Sequence, residues 1–486
     1  MAWVLLRRNQ ERVLERLKRH DYDSIALSEL GRVDELVYLM AELGFFKHLG
    51  LIEIERERTG IPDDLKLNML AVMPILSIPN IHQVPDYLFK DAGVLRLVGL
   101  TARQIREGFN DKGKADKQLP FHEDDLRNVL KAVRVGSLSA WRQATLKELF
   151  DHKVIKPGGV WIIDGTKLLI PYGRPPDGAG EVWHDPSQAE SGVRGNEVGY
   201  KLVLLVYLTA GYVVVGTWRV LAVQASELSV VREMVDEVLA VGGAHAIGKL
   251  LMDGLYADGD LLHWLKFDKD IEAMVRVDEN MQIRADMLGL ARLEPKKWET
   301  HSQVRSIQGH KQRRSVEVAY FEDLESWKAY PGKLNGFLLR EAGQGEKETL
   351  GWVCTGQLKD GWDGYQQWRQ RWSIENQGIR ELKEGWGIEA ELWGRNAGAV
   401  QMSVAMRILG YNCVTVYRTR QGSRLVAHGI RALGRELSVG PEVIIYARGE
   451  YAVLHIEELM AIVGFPVQES MRRNPLTRHK AKRIMG

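Results

Sequence analysis

The stretch YKLVLLVYLTAGYVVVGTWRVL, residues 200–221, decides how the rest of the chain is read. A membrane helix needs about 20 uninterrupted apolar residues, whereas Lys201 and the Thr209-Ala210-Gly211 break interrupt this run. Val, Leu and Tyr dominate on both sides of the break, and they suit a buried, pleated surface. Two strands joined by a turn are therefore expected, and no membrane span.

The same punctuation continues outward. VWIID (residues 160–164) reads as a strand before the pair, and SELSVVREMVDEVLA (226–240) as an amphipathic helix after it, with Ser226 as the expected N-cap. KLLMD (249–253) is then a strand, ADGDLLHWLKF (257–267) a helix and IEAMVRV (271–277) a further strand. Three antiparallel strands followed by helix, strand, helix and strand imply a mixed α/β sheet.

Residues 1–157 read as a mainly helical N-terminal domain. Apolar positions recur at three- and four-residue intervals in DELVYLMAELGFFKHL (34–49) and DLRNVLKAV (125–133). Thr101 is the expected N-cap of a short helix, read as a bundle helix rather than half of a helix-turn-helix. The mixed sheet occupies 158–281. From 282 to 355 the helical period fades, and SVEVAYF (315–321), GFLLREA (336–342) and TLGWVCT (349–355) predict a β-rich insertion. Helical character returns in YQQWRQRWSIENQGIRELKEGW (365–386), placing the second part of the core at 356–420. The remainder, 421–486, ends in a basic tail that carries Arg472, Arg473, Arg478, Lys480, Lys482 and Arg483 without an acid after Met471.

Composition sets wide limits. The 486 residues carry 66 Lys and Arg against 64 Asp and Glu, and 45% of them are hydrophobic, which excludes general disorder. Two cysteines, Cys354 and Cys413, build neither a disulfide scaffold nor a thiolate zinc site. With no apolar signal core after the N-terminus, a cytoplasmic, nucleoid-associated protein is expected. The run from Gly243 to Gly248-Lys249 has phosphate-loop spacing, but Leu250 stands where a magnesium-binding hydroxyl is needed, and the segment leads into a strand instead of a helix. His301 and His310 have no cysteine or carboxylate at ligand spacing and read as solvated.

Chemistry concentrates in three acids. Asp164 and Asp253 each end an apolar strand, where an α/β sheet opens to solvent. Each is also followed by Gly, so either one alone is an ordinary turn residue. Arg371 and Glu375 are four apart and share a helix face. Around them lie Trp368, Trp372, Arg380 and Lys383, an interleaving of basic and aromatic residues that suits a phosphate backbone and a stacked base.

W-I-I-D-G-T, L-M-D-G-L-Y and R-W-S-I-E-N-Q-G-I-R-E-L-K, in that order, resemble the three catalytic motifs of DDE transposases of bacterial insertion sequences. The resemblance covers roughly residues 160–390 and points to the branch with a β-rich insertion before the Glu. It implies an RNase H-like core, Asp164, Asp253 and Glu375 as catalytic and metal-binding triad, and DNA cleavage at element ends followed by strand transfer into target DNA. Arg371 matches the family's Arg, whereas Trp368 stands where the family has Tyr. Lys383 lies one residue beyond the expected Lys, so a single-residue bulge near Gly378 is needed to align it with Glu375.

Three carboxylates suit two Mg²⁺ ions, with Mn²⁺ as substitute. Arg371 and Lys383 would hold phosphates. Lys296, Lys297, Arg305, Lys311, Arg313 and Arg314 of the insertion, together with Arg380 and Trp368, would face DNA. The partners implied are double-stranded DNA, both terminal inverted repeats and target, and a second copy of the chain in a synaptic complex. Two other readings stay open: an RNase H-like nuclease without strand transfer, and a transposase-derived DNA-binding protein with an inactive centre.

Overall fold

A computed structural model describes residues 7–28, 33–56, 60–109, 111–170, 175–183, 196–209, 211–307, 310–343, 345–389, 392–421 and 442–462. The chain folds as two compact units, one made of residues 142–383 and the other of 1–141 with 384–486.

The second of these starts with β1 (Arg7–Arg8) and β2 (Ser24–Ser28), and then becomes helical. Helix Asp124–Ala132 turns Leu126, Val129 and Leu130 inward at the predicted spacing. Thr101 caps Ala102–Glu107 in a reciprocal box: its hydroxyl accepts from the Gln104 N–H at 3.2 Å, and the Gln104 side chain accepts from its own N–H at 2.8 Å.

The other unit is built on one sheet. Its strands are β3 (Gly159–Leu169), β4 (Gly180–Trp183), β5 (Asn196–Leu208), β6 (Val213–Ala222), β7 (Ile247–Met252), β8 (Glu272–Val277), β9 (Glu299–Ile307), β10 (His310–Leu324), β11 (Leu334–Glu341) and β12 (Leu350–Cys354). The order is β4-β5-β3-β7-β8-β12-β11-β10-β9, with β6 also paired to β5. Strands β3, β5 and β6 are antiparallel neighbours, joined by the turn whose Thr209 N–H bonds the Tyr212 carbonyl at 2.7 Å. On the other side of β3, β7 and β8 run parallel, reached through helix Leu228–Gly242 and the segment Gly259–Asp268. This is the mixed sheet that residues 200–221 announce.

Residues 282–355 depart from expectation. Gln282–Leu293 is a twelve-residue helix that buries Ile283, Met287, Leu288 and Ala291. The strands after it do not stand apart: β12 pairs with β8, so β9–β12 continue the core sheet outward. Strand β9 was not predicted because its sequence, ETHSQVRSI, is polar; its order comes from the antiparallel ladder with β10.

The chain then returns to the unit that holds residues 1–141. Helix Ala397–Gln421, expected in the sheet core, packs there against Asp63–Val72 and Asp124–Ala132. It is buried on nearly all sides from Gly398 to Arg418, and Ser403, Arg407, Asn412, Thr415 and Arg418 are buried with its apolar residues. Strands β13 (Glu442–Ala447) and β14 (Glu450–His455) complete a four-stranded sheet in the order β1-β14-β13-β2. The N-terminal region is thus not all helix, and the C-terminal one supplies half of its sheet. The basic tail from 471 lies outside the described residues. Among the described residues no helix is long and apolar enough to cross a membrane.

Candidate active site

Asp164 lies in the middle of β3, not at its end, because β5 continues to pair with β3 as far as Leu169. What stops is the parallel neighbour. The β3–β7 register brings Ile162 opposite Leu251, and β7 ends at Met252. Carrying that register two residues on sets Asp164 beside Asp253, at the gap where the sheet loses a strand. Asp253 has extended backbone, and its carbonyl accepts from the Tyr256 N–H at 3.0 Å in the short turn Gly254–Tyr256.

The third acid arrives on an irregular helix. Gly361–Arg369 is α-helical and starts at Asp360, whose carboxylate accepts from the Asp363 N–H at 2.7 Å. Residues Ile374–Ile379 and Glu381–Gly385 wind as π-turns. This i→i+5 winding passes through Gly378 and supplies the kind of local widening that aligning Lys383 with Glu375 requires.

Arg371 joins the acids. One terminal nitrogen donates to Asp164 Oδ2 at 3.0 Å and the other to Glu375 Oε1 at 2.6 Å. Its side chain is only 5% exposed, against 16% for Asp164 and 48% for Glu375. Burying the guanidinium carries a desolvation cost, so loss of its bond to Asp164 would leave a buried charge poorly paired, whereas the Glu375 end stays open to water. Its guanidinium carbon lies 5.4 Å from the Trp368 ring centroid.

Trp368 corrects an expectation. Predicted to offer a face to DNA, it is 6% exposed and packs at 4.9 Å against Trp352. It forms the floor under Arg371, and the exposed aromatic is Trp372, at 41%. Helical phase explains the exchange: the fourfold step from 368 to 372 is broken by the turn at Gln370–Arg371, which rotates Trp372 outward.

The Asp164 carboxyl is pushed up to about 6. Burial is the largest cause, and the charges of Glu375 and Asp253 add to it; Arg371 and the Gly165 N–H, bonded at 2.9 Å, pull the other way. The three acids therefore feel one another, and Arg371 offsets part of their repulsion. Among the described residues no three His, Cys, Asp or Glu side chains converge closely enough to share one metal ion. In chemical terms the site holds hard oxygen donors, a buried guanidinium and one carboxylate that titrates near neutrality.

The other predicted contacts scatter. Arg313 and Arg380 are exposed, and Lys383 is half-buried. Arg314 donates to both oxygens of Glu341, at 2.9 and 2.8 Å, so its charge is answered within the sheet. The side chains of Arg305, Lys311 and His310 lie outside the described residues. Lys296 and Lys297 line a cleft of about 620 Å³ with Lys359, Tyr320 and Trp362. His301, expected to be solvated, stacks on Trp362 with ring centroids 4.5 Å apart.

Two residues of the site were missed. Tyr256, fully buried, donates its hydroxyl to Glu227, and Lys201 lies 3.6 Å from the same carboxylate. Ser226 does not cap the following helix; Glu227 takes the N-cap position, and no side-chain cap bond forms there. Tyr256 was in view, three residues after Asp253, but nothing near it in sequence reveals its partner.

No family model matches the chain, and no curated protein matches it. Among solved structures it is similar to a piggyBac transposase synaptic complex with hairpin DNA, seen by cryo-EM, at 10% identity and a TM-score of 0.38, over 86% of this chain and 82% of that one.

Proposed function

We propose that the chain is a DDE-type transposase that cuts DNA at element ends and joins the freed 3′ ends to target DNA, with Asp164, Asp253 and Glu375 as its catalytic acids. One observation carries the reading: Arg371 ties Asp164 to Glu375 while Asp253 adjoins Asp164, gathering acids from positions 164, 253 and 375 at the opening of a mixed sheet. The antiparallel trio β3, β5 and β6 beside parallel β7 and β8 supports an RNase H-like core.

The donor chemistry fits divalent cations. Three carboxylates without thiol or imidazole are the ligands Mg²⁺ and Mn²⁺ take, and a cation would offset both the burial that chiefly raises Asp164 and the smaller repulsion from Glu375 and Asp253. Two such ions would supply an activated water and charge stabilisation for the leaving alkoxide. Asp164, Asp253 and Glu375 would hold them. Arg371 would hold the scissile phosphate through its guanidinium fork. Lys383 would hold a neighbouring phosphate as a point charge. Trp372, with the exposed Arg380 and Arg313, would face the duplex, and a second copy would complete the synaptic complex.

The test uses DNA from the flanks of the chain's own gene, a supercoiled target plasmid and Mg²⁺. Joined products are expected. Cuts without joining would favour a nuclease, and binding without either would leave a DNA-binding protein with an inactive centre.

A further inference from the structure

We propose that Glu227 and Tyr256 are positioning residues that clamp the strand of Asp164 to the turn of Asp253 from behind and so set the spacing of the two acids. The proposal rests on the functional reading above. Its geometry runs through four residues. Tyr256 belongs to the turn that Asp253 begins, with its N–H on the Asp253 carbonyl at 3.0 Å, and its ring is wholly buried. Its hydroxyl donates to Glu227 Oε2. That carboxylate presses on β3 at Gly165: a Cβ built there would lie 2.3 Å from it. Lys201, on the adjoining strand β5, lies 3.6 Å from the other carboxylate oxygen and donates to the Ala225 carbonyl at 2.9 Å, which holds the base of the loop carrying Glu227.

The direction of approach separates this role from metal binding. Successive strand residues face opposite sides of a sheet. Asp164 turns toward Arg371, so the contact at Gly165 comes from the other face of β3. Glu227 therefore braces the strand instead of joining the acids in front of it. Only glycine fits at 165, since any side chain would displace the brace. Metal sites need their ligands held within a fraction of an ångström, and supports one layer out commonly change affinity by 10–100-fold.

The experiment measures Mn²⁺ binding to the full chain by electron paramagnetic resonance, alongside thermal melting and affinity for flank DNA in EDTA. The variants are Tyr256→Phe, Glu227→Gln and Glu227→Ala, with Asp164→Ala as reference. Wild-type protein should bind Mn²⁺ and Asp164→Ala should not. Tyr256→Phe and Glu227→Ala should weaken binding about tenfold with DNA affinity unchanged, and Glu227→Gln, which keeps an oxygen for the phenol, should recover most of the loss. If Glu227→Ala does not fold, Tyr256→Phe, one oxygen smaller, carries the test alone. Equal Mn²⁺ binding by wild type, Tyr256→Phe and Glu227→Ala would overturn the clamp and leave the transposase reading standing. Equal losses in Glu227→Gln and Glu227→Ala would also overturn it, making Glu227 a ligand. Absence of Mn²⁺ binding by wild-type protein would overturn both.

Discussion

Arg371 has two duties that mutagenesis can separate. It lowers the Asp164 carboxyl from where burial alone would hold it, and on the reading proposed above it would hold the scissile phosphate. At subsaturating Mg²⁺, cleavage should rise as pH passes through about 6, where Asp164 of the metal-free site ionises and becomes able to take a cation. In Arg371→Gln the opposing charge is gone, Asp164 ionises later, and the acidic limb should move to higher pH. The plateau rate should fall by roughly 10²-fold, as when one charge-stabilising donor is removed; a pH–rate profile of both proteins checks the two effects together. The tryptophans beside it divide in the opposite way. Trp368→Ala opens a cavity under Arg371 and should cost about 3–5 kcal/mol in denaturant unfolding. Trp372→Ala should leave stability nearly unchanged and weaken DNA binding. The motif around Glu375 revealed Arg371 because a four-residue spacing survives the helical irregularity. It could not tell Trp368 from Trp372, because the turn that rotates one outward leaves no mark in the pattern of residue types.

At the level of elements, strands with their own apolar alternation were legible and strands ordered by their neighbours were not. VWIID and residues 200–221 declared β3, β5 and β6, whereas β9 is polar and β4 is four residues long, and both depend on a partner strand for their ladder. Helix Gln282–Leu293 escaped notice because Gly289 and scattered charges dilute its apolar face. Pairing between distant segments also sets the pH response of the unit that holds residues 1–141. Asp34 is buried where helix Val33–Glu42 meets the sheet, and its carboxyl is pushed up to about 7. Burial is the main cause, Glu442 and Glu35 add to it, and Arg8 at 3.7 Å opposes it. A group raised above its unfolded value stabilises the fold fully at low pH, and that stability is lost as pH climbs through the folded value. Thermal melts should therefore show falling stability between about pH 4 and pH 7, and Asp34→Asn should flatten that slope.

Over the whole molecule, a net charge of +2 conceals local concentrations of both signs. Attraction to DNA depends on patches of unanswered basic residues instead of on the total. Arg314 shows why a basic run in the sequence overstates such a patch, since Glu341 neutralises it across the sheet. Arg313 is exposed, and replacing it with Ala should weaken binding uniformly across sequences and reduce the salt slope of the affinity by about 1. The division into units was the part least visible in sequence, because helix Ala397–Gln421 and strands β13 and β14 return to a unit started some 400 residues earlier. The most direct test of the account is the rate of Mg²⁺-dependent cleavage of the gene's flank DNA by Asp164→Ala beside the wild-type chain, with binding measured on the same DNA. The account predicts equal binding and no cleavage by the variant; cleavage at the wild-type rate would contradict it.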